Sequence, residues 1–367
     1  MRDTFGSAVS ITLYGESHGA AIGAVINGVA AGVRVDDQFM AAQMEKRRAK
    51  GKISTARVEA DAVRILSGVK DGFATGSAIC LQIENTNTKS ADYAKTQQLL
   101  RPGHADYTAF AKYGGYQDAR GGGHFSGRLT APIVAAGSIF TQLLKSKGVI
   151  IGTHMLKCAG VCDDGFSSDF DVLKNQLIAL NESEFAVISQ SAGEKMTAEI
   201  EKAAADGDSV GGVLETAIIG LPAGLGEPFF DSAESVLSHL LFSMPAVKGI
   251  EFGGGFALAD MRGSQANDAF CMDGGKVITA TNNNGGINGG ITNGMPIILR
   301  TAIKPTPSIY KEQSTVDYAQ KCDAKLVING RHDPCIAHRA RVVQDSLCAI
   351  GIAEIFGMEY GIRWQIT

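Results

Sequence analysis

Two short stretches of the sequence each place an arginine, a histidine and an aspartate close together: RPGHAD (residues 101–106) and GRHDPC (residues 330–335). A fixed cation, a titratable imidazole and a carboxylate on one turn could bind an anion and transfer a proton. Asp106 is well placed to select one tautomer of His104. An exposed turn with a surface ion pair would have the same composition, so both interpretations stay open for each stretch taken alone.

A third candidate is GESHG (residues 15–19), which follows the strand-like residues 9–14. A turn directly after a strand displays side chains on a rigid element. Neighbouring side chains on an extended chain point to opposite sides. We therefore expect Ser17 and His18 to point apart and not to form a nucleophile–base pair. A structural role of His18 in the turn and a catalytic role both fit this stretch.

The stretch RGGGHFSGRLT (residues 120–130) runs into an apolar segment. Consecutive glycines before a helix can direct free amide groups at an anion, and the helix dipole adds favourable potential. Arg120 and Arg128 supply forked donors suited to phosphate or carboxylate. The P-loop pattern is absent, and Ser126 stands where the dinucleotide fingerprint has its last glycine. The stretch predicts an anion-binding loop of neither class.

The repeated composition of these loops indicates one pocket for a polyanionic ligand, with imidazoles placed for proton transfer. An anion-binding module without catalysis would explain the arginines and glycines but not the paired histidine and aspartate. His332, Cys335 and His338 have a spacing that is not a standard zinc pattern and lacks a clear fourth ligand. We therefore predict no metal site.

The composition is that of a globular protein: 367 residues, 45% hydrophobic and 20% charged, with 45 glycines. The net charge of −4 argues against a general binder of nucleic acid or membrane surfaces. Seven scattered cysteines without a C-x-x-C pair favour reduced thiols in a cytoplasm. The N-terminus lacks the apolar run of a signal peptide, and the apolar residues 129–144 are too few for a membrane span, so we interpret them as a core helix.

Strand-like and helix-like segments alternate, which predicts an α/β (α+β) fold. We expect a helix from Asp36-Asp37 through Arg48 and another from Asp231-Ser232 through Phe242, each started by a short polar cap. Residues 28–33 align with residues 220–225, and the glycine pattern of residues 68–81 recurs in residues 286–299. Two matches in the same order predict an internal duplication, with halves of roughly 1–140 and 205–345 in one fused core.

Taken together, the motifs resemble those of the chorismate synthase family. The matching blocks are GESHG, RPGHADYT, RGGGHFSGRLTA, AVKGIEFGGGF, GGINGG, KPTPS and GRHDPC, in the order of the family and across most of the chain.

The resemblance implies a homotetramer of β-α-β sandwich subunits that uses reduced FMN. It implies an anti 1,4-elimination of phosphate from 5-enolpyruvylshikimate 3-phosphate, which gives chorismate, the last common precursor of the aromatic amino acids, without net redox change. In the family, reduced flavin transiently donates an electron to help cleave the C–O bond. Two carboxylates and a phosphate on the substrate account for the arginines. A net flavin oxidoreductase, with NADPH as a possible reductant, remains the alternative.

Residue roles follow from the same resemblance. His18 corresponds to the general acid near the departing phosphate, with Ser17 as its neighbour in a proton relay. His104 corresponds to the imidazole that protonates reduced flavin, and Asp333 to the carboxylate that serves the flavin nitrogen receiving the substrate proton. The substrate-binding positions are Arg47, Arg101, Arg128 and Arg331. The positions that correspond to FMN binding are His124, Phe125, Ser126, Ala246, Gly289, Lys304, Pro305, Thr306, Pro307, Ser308 and Arg331.

Three positions depart from the commoner family pattern. His124 stands where many members carry arginine, which predicts a more pH-sensitive flavin affinity. Pro245 replaces a frequent asparagine and removes a backbone donor. Lys52 lies in a basic segment that lacks the usual Pro-Gly. For Cys335, beside the second Arg-His-Asp stretch, we expect a packing role.

Overall fold

The structure is a computed structural model that describes residues 3–49, 51, 53–55, 61–86, 98–328, 330 and 332–366. The first of two five-stranded antiparallel sheets contains β1 (Thr4–Phe5), β2 (Ser10–Gly15), β3 (Ala21–Asn27), β4 (Val63–Ser67) and β7 (Ile79–Glu84), in the order β1-β2-β3-β7-β4. The second contains β8 (Ile150–Cys158), β9 (Val161–Cys162), β10 (Gly212–Ile219), β11 (Val247–Phe252) and β16 (Ile297–Ile303), in the order β11-β16-β10-β8-β9.

Two-stranded ribbons extend from these sheets. They are β5 (Val69–Lys70) with β6 (Phe73–Ala74), β12 (Phe270–Asp273) with β13 (Lys276–Thr279), β14 (Ile287–Asn288) with β15 (Ile291–Thr292), and β17 (Gln313–Asp317) with β18 (Cys322–Leu326). The helices are α1 (Asp37–Arg47), α2 (Asp106–Tyr113), α3 (Thr130–Ser146), α4 (Phe170–Glu182), α5 (Gln190–Ala205), α6 (Ala233–Leu241), α7 (Gly263–Ala266) and α8 (Ala337–Tyr360). The mixture of helices and antiparallel sheets confirms the predicted α+β class.

Helices α3 and α8 lie between the two sheets. The α3 helix packs against β3 and β7 of the first sheet, α8 packs against β8 and β10 of the second, and the two helices pack on each other. Both are buried over most of their length. The α3 sequence is apolar nearly all round, whereas α8 also buries polar side chains that have hydrogen-bond partners, such as Gln344 and Glu354. Pro132 is tolerated because it falls in the first turn of α3, where no intrahelical amide bond is lost.

The helix starts follow the capping signals of the sequence. The Asp36 side chain accepts hydrogen bonds from the amides of Gln38 and Phe39, both at 3.0 Å, so the predicted cap is confirmed. The α1 helix ends at Arg47, one residue before the predicted end. Ser232 caps α6. None of the helices in the described part of the chain is long and apolar enough to cross a membrane, and the predicted core helix over residues 129–144 is α3.

Three helix ends meet at one end of the helical layer. Arg47, the last residue of α1, donates from Nε to Thr130 Oγ1 at the start of α3, at 3.0 Å. Arg339, in the first turn of α8, donates from Nε to the Arg47 carbonyl at 2.9 Å. The amino ends of α3 and α8, which carry the positive ends of the helix dipoles, are thus joined through α1.

A buried ionic cluster links β8 and β10 in the second sheet. The fully buried His154 places Nδ1 2.9 Å from Asp163 Oδ2 and Nε2 2.9 Å from Glu215 Oε2. Arg300 of β16 donates to Glu215 at 2.8 Å and lies 3.4 Å from Glu251. Burial alone would lower the pKa of His154, but hydrogen bonds from the ring to both carboxylates outweigh it and raise the pKa above 6.5.

We expect His154→Gln to lower the free energy of unfolding by about 3–5 kcal/mol, because the buried Asp163 carboxylate loses the imidazolium and Glu215 keeps, among the described residues, only Arg300 as its cation. A raised folded-state pKa means that the contribution of His154 is complete below the unfolded pKa, about 6.5, and is lost as pH rises through the higher folded value. Denaturant unfolding at a series of pH values would test this. Parallel pH curves for the wild type and the variant would contradict it.

Candidate active site

Three consecutive glycines bring the two candidate histidines to one loop. Gly121, Gly122 and Gly123 all have positive φ, at 59°, 87° and 51°. A Cβ on Gly121 would lie 2.0 Å from His18 Cε1, and one on Gly122 would lie 3.3 Å from His104 Nε2. The glycine loop predicted from the sequence therefore lies between the His18 and His104 imidazoles, and Gly121 and Gly122 place only backbone atoms there. A side chain at residue 121 would displace His18.

Ser17 and His18 correct one sequence-based expectation. Their side chains do not point apart: Ser17 Oγ lies 3.2 Å from His18 Nδ1. The backbone leaves β2 at Gly15, with φ of 94°, and residues 17 and 18 lie in a turn, so the alternation of an extended strand does not apply. The Ser17 amide donates to the Gly123 carbonyl at 3.2 Å, and its hydroxyl lies 3.1 Å from the Arg120 carbonyl. Both side chains are buried.

The RPGHAD turn forms a compact ionic group around Asp106. His104 Nδ1 lies 2.7 Å from Asp106 Oδ1, and Arg101 donates to both carboxylate oxygens, from Nε at 2.8 Å and from Nη2 at 2.7 Å. Burial alone would raise the pKa of Asp106, but hydrogen bonds from Arg101 and His104 outweigh it and hold the pKa well below its usual range. The ionised Asp106 is thus in position to hold a proton on His104 Nδ1.

The predicted cofactor segment Lys304–Ser308 packs against this turn. The Lys304 ammonium donates to the Gly103 carbonyl, and a Cβ on Gly103 would lie 3.3 Å from Pro307 Cβ. The Lys304 amide donates to the Ala246 carbonyl at 3.0 Å. The Thr306 hydroxyl is buried, with no hydrogen-bond partner within the described ranges, and Ser308 is buried. The structure therefore places Lys304 and Pro307 of this segment against Gly103 and joins Ala246 to the segment through Lys304. Pro305, Thr306 and Ser308 belong to the same segment, with no described contact to residues 101–106.

Arg47 and Arg128 are buried and share one carboxylate that the sequence analysis missed. Arg47 Nη1 donates to Asp61 Oδ2 at 2.8 Å, and Arg128 Nη1 donates to Asp61 Oδ1. Arg128 Nε also donates to Asn85 Oδ1 at 3.1 Å. Asp61 belongs to no recognised motif, so only its acidic type in a charged segment, RVEADAVR (residues 57–64), could have suggested it.

Asp333 lies beside the amino end of α8. Its Oδ2 accepts from Arg339 Nη1 at 2.6 Å, and its Oδ1 accepts from the Thr55 amide at 2.9 Å. Burial lowers the pKa of His332, and the charge of Arg101 lowers it further. The predicted site residue Arg331 lies outside the described residues, as does Lys52.

Some predicted residues have different surroundings. Arg120, expected to face an anion, donates to both oxygens of Asp118 at 2.8 Å, because the adjacent carboxylate matches its fork. His124 Nε2 lies 3.4 Å from Asp3 Oδ1.

The remaining flavin positions divide between two regions. The Phe125 ring lies 6.3 Å from that of Tyr113. Ser126 stays at the loop, where its hydroxyl accepts from the Arg128 amide at 3.3 Å. Gly289 lies in the turn between β14 and β15, next to Gly290, which packs on Ser232, and none of its described contacts joins it to residues 101–106.

Comparison with known proteins shows which family the chain resembles. A family model described as chorismate synthase matches residues 9–356. A chorismate synthase of Dehalococcoides mccartyi is 41% identical over 356 residues, which cover 97% of this chain and 96% of the relative. One of Pyrococcus abyssi is 43% identical over 349 residues, covering 95% and 96%. A solved structure titled "Crystal Structure of Chorismate Synthase" has a TM-score of 0.77 at 26% identity and covers 97% of this chain and 94% of that chain.

Proposed function

Because the chain belongs to the chorismate synthase family, we propose that the loops around Gly121 and Gly122 form the site where phosphate is eliminated from 5-enolpyruvylshikimate 3-phosphate. The family activity is that of a carbon–oxygen lyase: phosphate leaves, a ring hydrogen is lost, and chorismate forms without net redox change. The assignment depends on one observation, the position of His18 and His104 on either side of these glycines. The reaction needs proton-transfer groups close to the leaving phosphate.

His18 is proposed to act as the general acid toward the departing phosphate. The Ser17 hydroxyl has one proton and lies within 3.2 Å of two carbonyls, those of Arg120 and Gly121. A hydroxyl that donates to a carbonyl accepts at its oxygen, so Ser17 would hold a proton on His18 Nδ1. Nε2 is then the ring nitrogen that exchanges the catalytic proton. Ser17 would orient the imidazole and fix its tautomer.

His104 is proposed to transfer its proton at Nε2. Asp106 is held ionised by Arg101 and lies 2.7 Å from Nδ1, so it would accept a hydrogen bond from the Nδ1 proton, while Arg101 Nη2, 3.1 Å from the same nitrogen, donates to Asp106. Nε2 is directed at the glycine loop, where only the missing side chain of Gly122 leaves it room. This arrangement, a carboxylate on one ring nitrogen and a reacting proton on the other, is a common way to fix a catalytic imidazole.

Asp333 is proposed to handle the proton that the substrate ring loses. Two donors, the Arg339 guanidinium and the Thr55 amide, hold its carboxylate in one orientation. These donors fix the directions of both carboxylate oxygens, one of which would take up the proton. Arg47, Arg101, Arg128 and Arg331 are proposed contacts for the anionic groups of the substrate, and for Arg331 the proposal depends on the family pattern alone.

The described residues fit a flavin mononucleotide at residues 304–308. Thr306 offers a buried hydroxyl with no described partner, which suits a ligand oxygen. Lys304, Ala246 and Ser126 lie around the same turn and glycine loop, so these residues would hold the cofactor. When bound, reduced FMN supplies the electron that assists cleavage of the C–O bond. Gly289, His124 and Phe125 stay proposals that depend on the family pattern alone.

An anaerobic incubation with photoreduced FMN and 5-enolpyruvylshikimate 3-phosphate tests the function. We expect phosphate release and chorismate absorbance to rise in equal amounts while the flavin is still reduced at the end. Flavin oxidised in step with product would mean net electron transfer and would favour the flavin oxidoreductase. No product from folded protein would leave only an anion-binding pocket.

NADPH as a reductant of the bound flavin is a separate proposal. Anaerobic mixing with NADPH, without another reductant, would bleach bound FMN only if the chain reduces its own cofactor. We also propose a cytoplasmic location, which the seven free thiols support, since an oxidising compartment would favour disulfides.

We propose that the chain assembles as a homotetramer. Four phenylalanines are strongly exposed in the single chain: Phe229 at 86%, Phe230 at 89%, Phe256 at 83% and Phe270 at 68%. Large exposed aromatic side chains favour association, because their burial removes apolar surface from water. Sedimentation velocity at micromolar concentration would test this, and a monomer would contradict it.

We also propose that the chain is one domain built from two pseudo-symmetric halves. The strand order β2-β3-β7-β4 of the first sheet corresponds to β8-β10-β16-β11 of the second. The amide of Gly32 donates to the Ala74 carbonyl, and its aligned counterpart Gly224 donates to the Thr292 carbonyl, both at 2.8 Å. This correspondence supports a duplication, with a second half that includes β8 and so begins before residue 205.

A further inference from the structure

Asp61 lies between two buried arginines at the start of the central helical layer. The side chains of Arg47, Arg128 and Asp61 are only 7%, 5% and 1% exposed. Each carboxylate oxygen serves a different guanidinium: Oδ2 accepts from Arg47 and Oδ1 from Arg128. One carboxylate therefore sets the spacing of two cations, which a surface ion pair would not do.

Other contacts fix the remaining orientation of each arginine. Arg47 Nε donates to Thr130 Oγ1 at 3.0 Å, and Arg128 Nε donates to Asn85 Oδ1 at 3.1 Å. The planar guanidinium has donors in fixed directions, so a bond at Nε and another at Nη1 define its plane. Asp61 supplies the second of these two bonds in both arginines.

The same contacts extend to the other side of the proposed site. Arg339 Nε donates to the Arg47 carbonyl at 2.9 Å, and Arg339 Nη1 donates to Asp333 Oδ2 at 2.6 Å. A continuous set of hydrogen bonds and covalent links therefore joins Asp333 to Arg128, with Asp61 as its central carboxylate. A displacement of Asp61 would be transmitted to groups on both sides.

The backbone at Asp61 also matches this role. Its φ of 48° lies in the left-handed region, which aspartate tolerates better than most residues with a side chain. The residue stands just before β4 and outside any helix or strand. The left-handed backbone conformation of Asp61 therefore does not continue a helix or strand, and it sets the direction of the carboxylate.

We propose that Asp61 is a positioning residue, which holds the guanidinium groups of Arg47 and Arg128 in the orientation that binds the anionic groups of the substrate. This inference rests on the proposed function of the site. Asp61 does not itself contact the substrate. The opposite role is that Asp61 competes with the substrate for the arginines, and the two roles predict opposite changes in anion affinity.

The first test compares Asp61→Asn with the wild type in steady-state turnover and in calorimetric binding of inorganic phosphate. Asparagine keeps the shape but offers one acceptor oxygen, so one guanidinium loses its partner. We expect KM to rise about 10- to 100-fold, with kcat reduced less, and phosphate binding to weaken, because a lost buried contact to a charged group typically has an effect of this size. Tighter phosphate binding would overturn the proposal in favour of competition.

A double-mutant cycle with Arg128→Ala tests whether Asp61 acts through Arg128. Arg128→Ala should mainly raise KM, because a fixed cation contacts substrate and transition state alike. If Asp61 acts by positioning, Asp61→Asn should add less than about threefold to the effect of Arg128→Ala, since residues in one network are not additive. Fully additive effects on KM would overturn the proposal.

Two further variants keep the test interpretable. Asp61→Glu keeps the negative charge, so it should bind phosphate more tightly than Asp61→Asn, and it replaces Asp61→Asn as the test if that variant folds poorly. Equal losses of phosphate affinity in both folded variants would indicate a purely local packing role and would overturn the proposal. Arg34→Gln removes an exposed arginine from its ion pair with Asp36 and should leave KM unchanged. Absence of turnover in the wild type would contradict the proposed function. The phosphate-binding measurement would still test whether Asp61 positions the two arginines, because it does not depend on turnover.

Discussion

His104→Ala is expected to lower turnover by roughly 10²–10⁴-fold, the usual contribution of a positioned general acid or base. The substitution removes the ring nitrogen at Gly122 and leaves Asp106 and Arg101 paired with each other. The salt bridge that remains should preserve the turn, so we expect a folded protein with impaired chemistry. Single-turnover measurement of chorismate formation under anaerobic conditions, with flavin and substrate saturating, would isolate this step.

Asp106→Asn is the matched control for this prediction. The substitution keeps the His104 imidazole but replaces the carboxylate that accepts from Nδ1 with a neutral amide. It also removes the carboxylate to which Arg101 donates. We expect a smaller loss than in His104→Ala, together with a change in the pH dependence of turnover. A near-wild-type rate for folded His104→Ala would remove His104 from proton transfer.

His18→Ala is expected to reduce turnover by a factor of roughly 10²–10⁴ as well, because the departing phosphate would lose its proton donor. The imidazole is buried against Gly121, so the substitution also opens space at the loop. His18→Gln fills more of that space and offers hydrogen bonds without titration. The rate of phosphate release measures the effect directly, and both variants should be slow.

Ser17→Ala separates orientation from proton donation. Loss of the hydroxyl removes the contact to His18 Nδ1 but keeps the imidazole, so we expect a smaller reduction than for His18→Ala. A wild-type rate for folded His18→Gln would show that the imidazole serves the turn only, which was the other interpretation of this stretch. Circular dichroism and flavin binding would establish that each variant is folded.

Local signals in the sequence predicted much of the fold. The caps at Asp36 and Ser232 are short-range hydrogen bonds between a side chain and amides two or three residues away, so their positions follow from neighbouring residues. Residues 129–144 are mostly apolar and were therefore expected to be buried, and they form most of the buried helix α3. The bounds of α1 differed by one residue, because helix ends depend on tertiary contacts such as that of Arg47 with Thr130.

Short stretches of sequence also indicate which chemical groups the loops carry. The three glycines at residues 121–123 were recognisable because only glycine permits the close approach of backbone to other groups. The pairing of Asp106 with His104 followed from two positions on one tight turn. These features are encoded within a few residues and do not need the rest of the chain.

Which of these groups contact one another depends on the packing of segments that are distant in the sequence. Asp61 reaches Arg47 and Arg128 across 14 and 67 positions, and Arg339 reaches Arg47 across 292, so no local pattern contains these contacts. The turn at residues 17 and 18 brings the Ser17 and His18 side chains into contact, although an extended chain would separate them. The Arg120 guanidinium, expected to bind an anionic ligand, donates to Asp118 instead. The type of a side chain limits the groups to which it can bind. The partner it has in the folded protein depends on how distant segments pack, which is determined by the burial of apolar surface and by the geometry of helices on sheets.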